Sequence, residues 1–199
     1  MKTNTASRPP NSVRRANADE RAGGYRRKLL EVGARLFVEK GIANVSVEQL
    51  LAHAGISRAT FYGCFENKNE LAAAILLPVF ESGALDLEQL VKLSPDDAAG
   101  RLIDVYLNLW KEHRDAVLLT TKLEPAAFAY LRAEHDAFNT ALKRALDIIG
   151  SGGHLRNDST KLTLDVIAKT AIPLLRVYKN SDDLERLYKE SMLALLFKS

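Results

Sequence analysis

The chain has 199 residues, 47% hydrophobic and 27% charged, the balance of an ordinary globular protein with room for one large domain or two small ones. One cysteine, Cys64, excludes an internal disulfide framework and a multi-cysteine zinc site, and His53, His113, His135 and His154 are scattered without ligand spacing. No metal or cofactor is expected, nor a membrane partner, since the longest nearly unbroken apolar run, Leu71 to Phe80, is too short to span a membrane at ten residues and contains Pro78. The net charge of +3 is unevenly divided: residues 1–70 hold twelve Lys/Arg against seven Asp/Glu, and residues 71–199 hold sixteen against eighteen. A polyanionic partner would therefore bind the first third, although a basic stretch is often only a solvated face.

Residues 1–18, MKTNTASRPPNSVRRANA, are polar, basic and Pro-containing, with no apolar stretch of the kind a signal peptide needs. They read as a flexible arm: either a tail without fixed role, or one whose Arg8, Arg14 and Arg15 reach a minor groove. From there the pattern is helical. Leu29, Leu30, Gly33, Leu36 and Phe37 repeat at helix spacing until Gly41 stops them. Ser46-Val-Glu-Gln49 is a capping box, with Val45 and Leu50 placed as its hydrophobic staple. Ala54-Gly55-Ile56-Ser57 makes a turn, Ser57 caps a short helix through Phe65, and Asn67-Lys-Asn-Glu70 opens a longer one.

Ser94-Pro95-Asp96-Asp97 supplies an N-cap, a proline at the first helical position and two acids on the positive helix end. Pro125 opens a helix whose stripe runs Phe128, Leu131, His135, Phe138, Leu142 and Ile149 before Gly150-Ser-Gly-Gly153 ends it. Two last helices follow, about Ser159–Tyr178 and Ser181–Phe197, the second capped by Ser181. Pro78 and Pro173 fall inside helical patterns and predict a kink or break. No segment alternates with period two over strand length, so the fold class is all-α, with about nine helices.

Residues 46–65 carry the functional signal: a two-turn helix, a tight turn on Gly55, and a second short helix, which together make a helix-turn-helix. Phe61 and Phe65 face inward, while Arg58, Ala59, Thr60 and Tyr62 offer small or hydrogen-bonding groups at the helix N-terminus, a composition suited to a major groove. An αα-hairpin with a glycine turn also occurs in many other helical proteins.

The run YRRKLLEVGARLFVEKGIANVSVEQLLAHAGISRATFYGCFENKNELAAAIL, residues 25–76, resembles the N-terminal domain of the tetracycline-repressor (TetR) family. Leu29, Leu36, Phe37 and Gly41 match the family's first helix; Ser46, Val47, Leu50, Ala54, Gly55, Ile56 and Ser57 match its second helix and turn. Thr60, Phe61, Tyr62, Phe65, Lys68 and Leu71 match the third part of the pattern. The resemblance implies a cytoplasmic bacterial transcription factor, not an enzyme, which binds near-palindromic double-stranded operator DNA as a homodimer. The family's usual form is a repressor released by a small-molecule effector. It divides the chain into a helix-turn-helix domain over 19–67 and a helical ligand-binding and dimerisation domain over 68–199. Arg58, Ala59 and Thr60 are then expected at base edges or nearby phosphates, and Ser46, Tyr62 and Lys68 on the backbone. The plainer role for Tyr62 is a packed hairpin aromatic. The sequence departs from the family pattern at Val45, Leu51, Gly63 and Cys64. Gly63 gives the reading helix no side chain there, which shifts the expected recognition toward DNA shape.

The rest of the chain is less specific. Tyr106, Trp110, His113, Phe128, Leu131, His135 and Phe138 are candidate lining for a pocket taking a largely apolar effector, with the alternative that they are simply core. Leu162, Val166 and Leu174 on one helix and Leu184, Leu187, Tyr188, Met192 and Leu195 on the next are expected, by family analogy, in a four-helix dimer interface; the alternative is packing within the monomer. Two other classes remain: an architectural DNA-binding protein without effector, and a helical enzyme with the pocket as active site. No catalytic constellation at recognisable spacing supports the second.

Overall fold

The computed structural model describes residues 11–198, with side chains from residue 23 onward. Nine helices follow one another among these residues: α1 (Asn11–Lys40), α2 (Val47–Ala54), α3 (Arg58–Cys64), α4 (Lys68–Leu90), α5 (Pro95–Thr120), α6 (Pro125–Phe128), α7 (Arg132–Ser151), α8 (Thr160–Tyr178) and α9 (Leu184–Leu196). The only β-type pairing described is an isolated bridge between Leu155 and Phe197. The fold is all-α. Residues 11–18 of the expected arm belong to α1, and residues 1–10, with Arg8, lie outside the described residues.

A first core joins α1 to α2, α3 and the start of α4 through Leu29, Leu36, Phe37, Leu50, Phe61, Phe65, Leu71 and Ile75, all buried. Gly33 lets α1 and α4 approach closely: a Cβ there would stand 3.1 Å from both Leu71 and Ile75. The second core is built on α4, which packs most extensively against α5 and α7, with α8 and α9 closing the far side. Gly83 makes the tightest approach in this layer, since a Cβ would stand 2.5 Å from the Phe138 ring.

Short-range signals hold where they depend on neighbours in sequence. Ser46 and Gln49 form both halves of the capping box, and Ser57, Asn67, Ser94 and Ser159 all accept from backbone N–H groups of the helices they open. Three expectations fail. The helix expected from Pro125 to Ile149 is two: Tyr130 and Leu131 donate to the carbonyls of Ala127 and Phe128, three residues back, and this tightened turn separates α6 from α7. The last helix starts at Leu184, because the Ser181 hydroxyl accepts from the Asp183 N–H (3.2 Å) and closes a local turn. Finally, α4 and α8 run on through Pro78 and Pro173, while α5 breaks at His113 (φ −134°, ψ 37°), where no proline stands. The His113 Nε2 lies 3.3 Å from the Ser82 hydroxyl, which itself bonds the Pro78 carbonyl, so the break in α5 packs beside the proline turn of α4.

Candidate nucleic-acid interface and cavity

Gly55 ends α2 with left-handed backbone (φ 60°, ψ 40°) and donates to the Leu51 carbonyl; only this turn lets α3 leave directly across α2. Phe61 and Phe65 anchor α3 on the first core, and Arg26 lies over the Phe65 ring at 5.0 Å. What remains outside is the face of Arg58, Ala59, Tyr62 and Gly63. Tyr62 is half exposed, its ring edge-on to Phe61 at 5.3 Å, so its phenol end is free while its body is fixed. Gly63 has nothing within 4 Å of a would-be Cβ. Thr60 is half-buried: its hydroxyl lies 2.8 Å from that of Ser57, within the helix cap. The Ser46 hydroxyl accepts from Gln49 N–H (3.2 Å) in the α2 cap.

Besides these two capping hydroxyls, both cations among the expected DNA contacts are engaged within the protein. Arg58 is paired with the Glu48 carboxylate of α2. Glu48 is held below the usual carboxylate range by backbone and Ser46 hydrogen bonds and by the Arg58 charge, with both partners exposed. Lys68 donates to the carbonyls of Ile42, Ala43 and Val45 at 2.8, 2.9 and 3.0 Å. An ammonium has three protons, so the expected backbone contact gives way to a clamp on the α1–α2 loop. The sequence carried only half of this signal: a lysine at a helix start sits against the dipole, and only carbonyls folded over it make the position favourable.

The segment after α5 reaches this loop, the end of α1 and the cap of α4. The Ala43 N–H donates to Glu124 Oε1 at 2.8 Å, Lys122 Nζ donates to the Val38 carbonyl, and Asn67 Nδ2 donates to the Tyr130 hydroxyl at 2.8 Å. None of these contacts is visible from sequence spacing, since each joins residues more than sixty positions apart.

Between α4, α5, α7 and α8 lies a cavity of about 550 Å³. Of the seven expected lining residues, Tyr106, Phe128, His135 and Phe138 line it. Trp110, His113 and Leu131 do not: Trp110 is buried beneath Arg114, His113 sits at the α5 break, and Leu131 is buried at the α6–α7 turn. Sequence reasoning missed the α8 wall, which contributes Leu164, Asp165 and Ile172, and the Thr120 and Leu123 positions at the end of α5. Phe80 and Phe128 flank the His135 ring edge-on at 5.7 and 4.9 Å.

The expected interface residues also divide. Leu162 and Leu195 are exposed, and Val166, Leu174, Leu184 and Leu187 are half-buried. Tyr188 and Met192 are fully buried in the chain's own core, so neither is available to a partner. Val177, at 72% exposure, and Leu193 were not foreseen and lie exposed on the same two helices.

A glycine-turned helix pair with one exposed face, seated on a helical domain that holds a cavity, defines the class: an all-α helix-turn-helix protein. Residues 29–75 match the family described as bacterial regulatory proteins, tetR family. The helix-turn-helix region of the chain is thus similar to that family's DNA-binding domain. It is 30% identical to the HTH-type transcriptional regulator EthR of Mycolicibacterium smegmatis over 118 residues, 57% of this chain and 52% of that protein. The match thus spans about half the length of that curated relative. The fold is shared with KstR2, a ketosteroid transcriptional regulator of Mycobacterium tuberculosis (TM-score 0.71, 19% identity, 87% of this chain and 95% of that one). It is shared also with SmeT in a complex with triclosan (TM-score 0.66, 22% identity, 88% and 93%).

Proposed function

We propose that the chain is a homodimeric, DNA-binding transcriptional regulator that is not an enzyme. It acts in the cytoplasm, binds a near-palindromic operator through α3, and is released when a small molecule enters the cavity, with repression as the default sign. The observation that carries this reading is the exposed face of Arg58, Ala59, Tyr62 and Gly63 on a helix whose inner face is locked by Phe61 and Phe65. Residues 19–67 serve as the reading domain and 68–199 as the effector and dimer domain. Ser46 and Tyr62 supply phosphate contacts, Ala59 and, on leaving Glu48, Arg58 supply base contacts, and Thr60 stiffens the helix start.

Apolar exposure on α8 and α9 supports the dimer: Leu162, Val177, Leu193 and Leu195 are large and open in the single chain. Two readers on a two-fold axis must meet successive major grooves about 34–36 Å apart. The cavity supports the effector and counts against an architectural protein without one. Thr120, Leu123 and Phe128 line it, while Glu124 holds the α1–α2 loop at Ala43 and Lys122 holds the last turn of α1 at Val38. A ligand that displaces this connection moves the loop, and with it the separation of the readers. SmeT, in complex with triclosan, has the same fold.

The test is selection of bound sequences from random duplex DNA with the full-length protein, at two salt concentrations. A near-palindromic consensus is expected. No enrichment, with binding that vanishes steeply as salt rises, leaves phosphate contacts alone and makes the architectural reading the better one.

A further inference from the structure

The effector's chemistry is written in what the cavity leaves unsatisfied. Tyr106 of α5 is 4% exposed, lines the cavity, and its hydroxyl makes no hydrogen bond among the described residues; burial alone pushes its ionisation far up. Tyr188 of α9, outside the lining, is buried with its hydroxyl unpartnered; burial, and then the nearby Tyr106 phenol, disfavour its ionisation. Buried hydroxyls are nearly always paired, so an open donor in the lining of a largely apolar cavity marks a place for a ligand oxygen.

The walls set the charge. Val79, Leu109, Leu142, Leu164 and Ile172 are apolar, and no Lys or Arg is among the lining residues. Arg132 lies over the Phe128 ring at 5.7 Å but is exposed and does not line the space. Asp165 is the one carboxylate in the lining. An anion brought here would lose water and find no Lys or Arg in the lining, while Asp165, itself exposed, adds a screened like charge.

We propose that the cavity takes a neutral, largely apolar molecule carrying a hydrogen-bonding oxygen, which the Tyr106 hydroxyl holds at the inner end while Asp165 disfavours carboxylates. The proposal rests on the cavity being the effector site. His135 and Asn139, whose side chains lie 3.1 Å apart, offer a second polar contact on the α7 wall. The aromatic edges of Phe80, Phe128 and Phe138 suit a flat, ring-containing body.

The experiment is calorimetric titration of the full-length protein with three probes of one skeleton: biphenyl, 4-phenylphenol and biphenyl-4-carboxylate. The phenol is expected to bind about tenfold tighter than the hydrocarbon, the worth of one buried hydrogen bond. The carboxylate should bind weakest. Tyr106→Phe should erase the phenol's advantage and leave biphenyl unchanged, and Asp165→Asn should narrow the gap to the carboxylate. Tyr188→Phe, one layer back, should leave the order intact, and circular dichroism checks that each variant is folded. Equal binding of phenol and hydrocarbon, a carboxylate that binds tightest, loss of the advantage in Tyr188→Phe alone, or no binding by any probe would each overturn the proposal. DNA selection on the same preparation separates the two readings. A flat probe series with a clear operator consensus defeats this proposal alone, whereas an ordered series without a consensus defeats the regulator reading.

Discussion

The two halves of the molecule are specified by different kinds of information. In α1–α3 the decisive interactions join residues a few positions apart: Ser46 with Gln49, Gly55 with Leu51, Ser57 with Thr60. In α4–α9 they join residues far apart in sequence, such as Gly83 with Phe138 or Lys111 with Glu185. A reading domain with few contacts to choose among must present one fixed face, and local signals suffice for that. A cavity needs walls from four helices, and its shape is a property of their packing.

The sharpest way to break this division is at Lys68, where a local motif position has acquired a long-range duty. Lys68→Met removes three charge-assisted hydrogen bonds to loop carbonyls, and stability should fall by ~3 kcal/mol in denaturant unfolding. If Lys68 instead served as a phosphate contact, stability would hold and the salt slope of DNA binding would drop by about one unit.

Gly83→Ala tests the long-range half. The added methyl must displace the Phe138 ring, costing about 1–3 kcal/mol by overpacking and weakening cavity binding as measured with 4-phenylphenol. The same substitution at Gly63 should do the reverse. That site is open and exposed, so Gly63→Ala should stabilise α3 by up to ~1 kcal/mol without a clash, read as a higher melting temperature.

Glu48→Gln sharpens the account of the reading face. Freed from its carboxylate, Arg58 becomes available to DNA, and a negative charge leaves the interface. Operator affinity should rise several-fold at low salt, with the melting temperature essentially unchanged because the pair is exposed. The smallest effect is expected at Pro78. Pro78→Ala restores a backbone donor beside the Ser82–His113 contact, and should alter the ligand's effect on DNA affinity more than the affinity itself. An unchanged ligand effect would remove Pro78 from the coupling.

These contrasts explain what could be read from the residues alone. The Ser46–Gln49 capping box, the Ser57 cap, the Gly55 turn and the inward Phe61–Phe65 pair are local, and the structure contains each of them. Tyr188 and Met192 were placed on a dimer surface because an apolar helix stripe looks the same whether it faces a partner or its own core. The α5 break at His113 was illegible because it has no proline or glycine of its own and forms against Ser82 of another helix. Asp165 and Leu164 were missed because a residue that lines a cavity has no periodic signature distinct from a surface or a core position.

The central claim is that two copies of α3 read DNA together at a fixed separation. The direct measurement is titration of the full-length protein against its selected duplex and against the same duplex with five base pairs inserted between the half-sites. A rigid dimer predicts a large loss of affinity, because half a helical turn carries one half-site to the opposite face of the DNA. Equal affinity for the two duplexes would contradict the account and show that each reader binds alone.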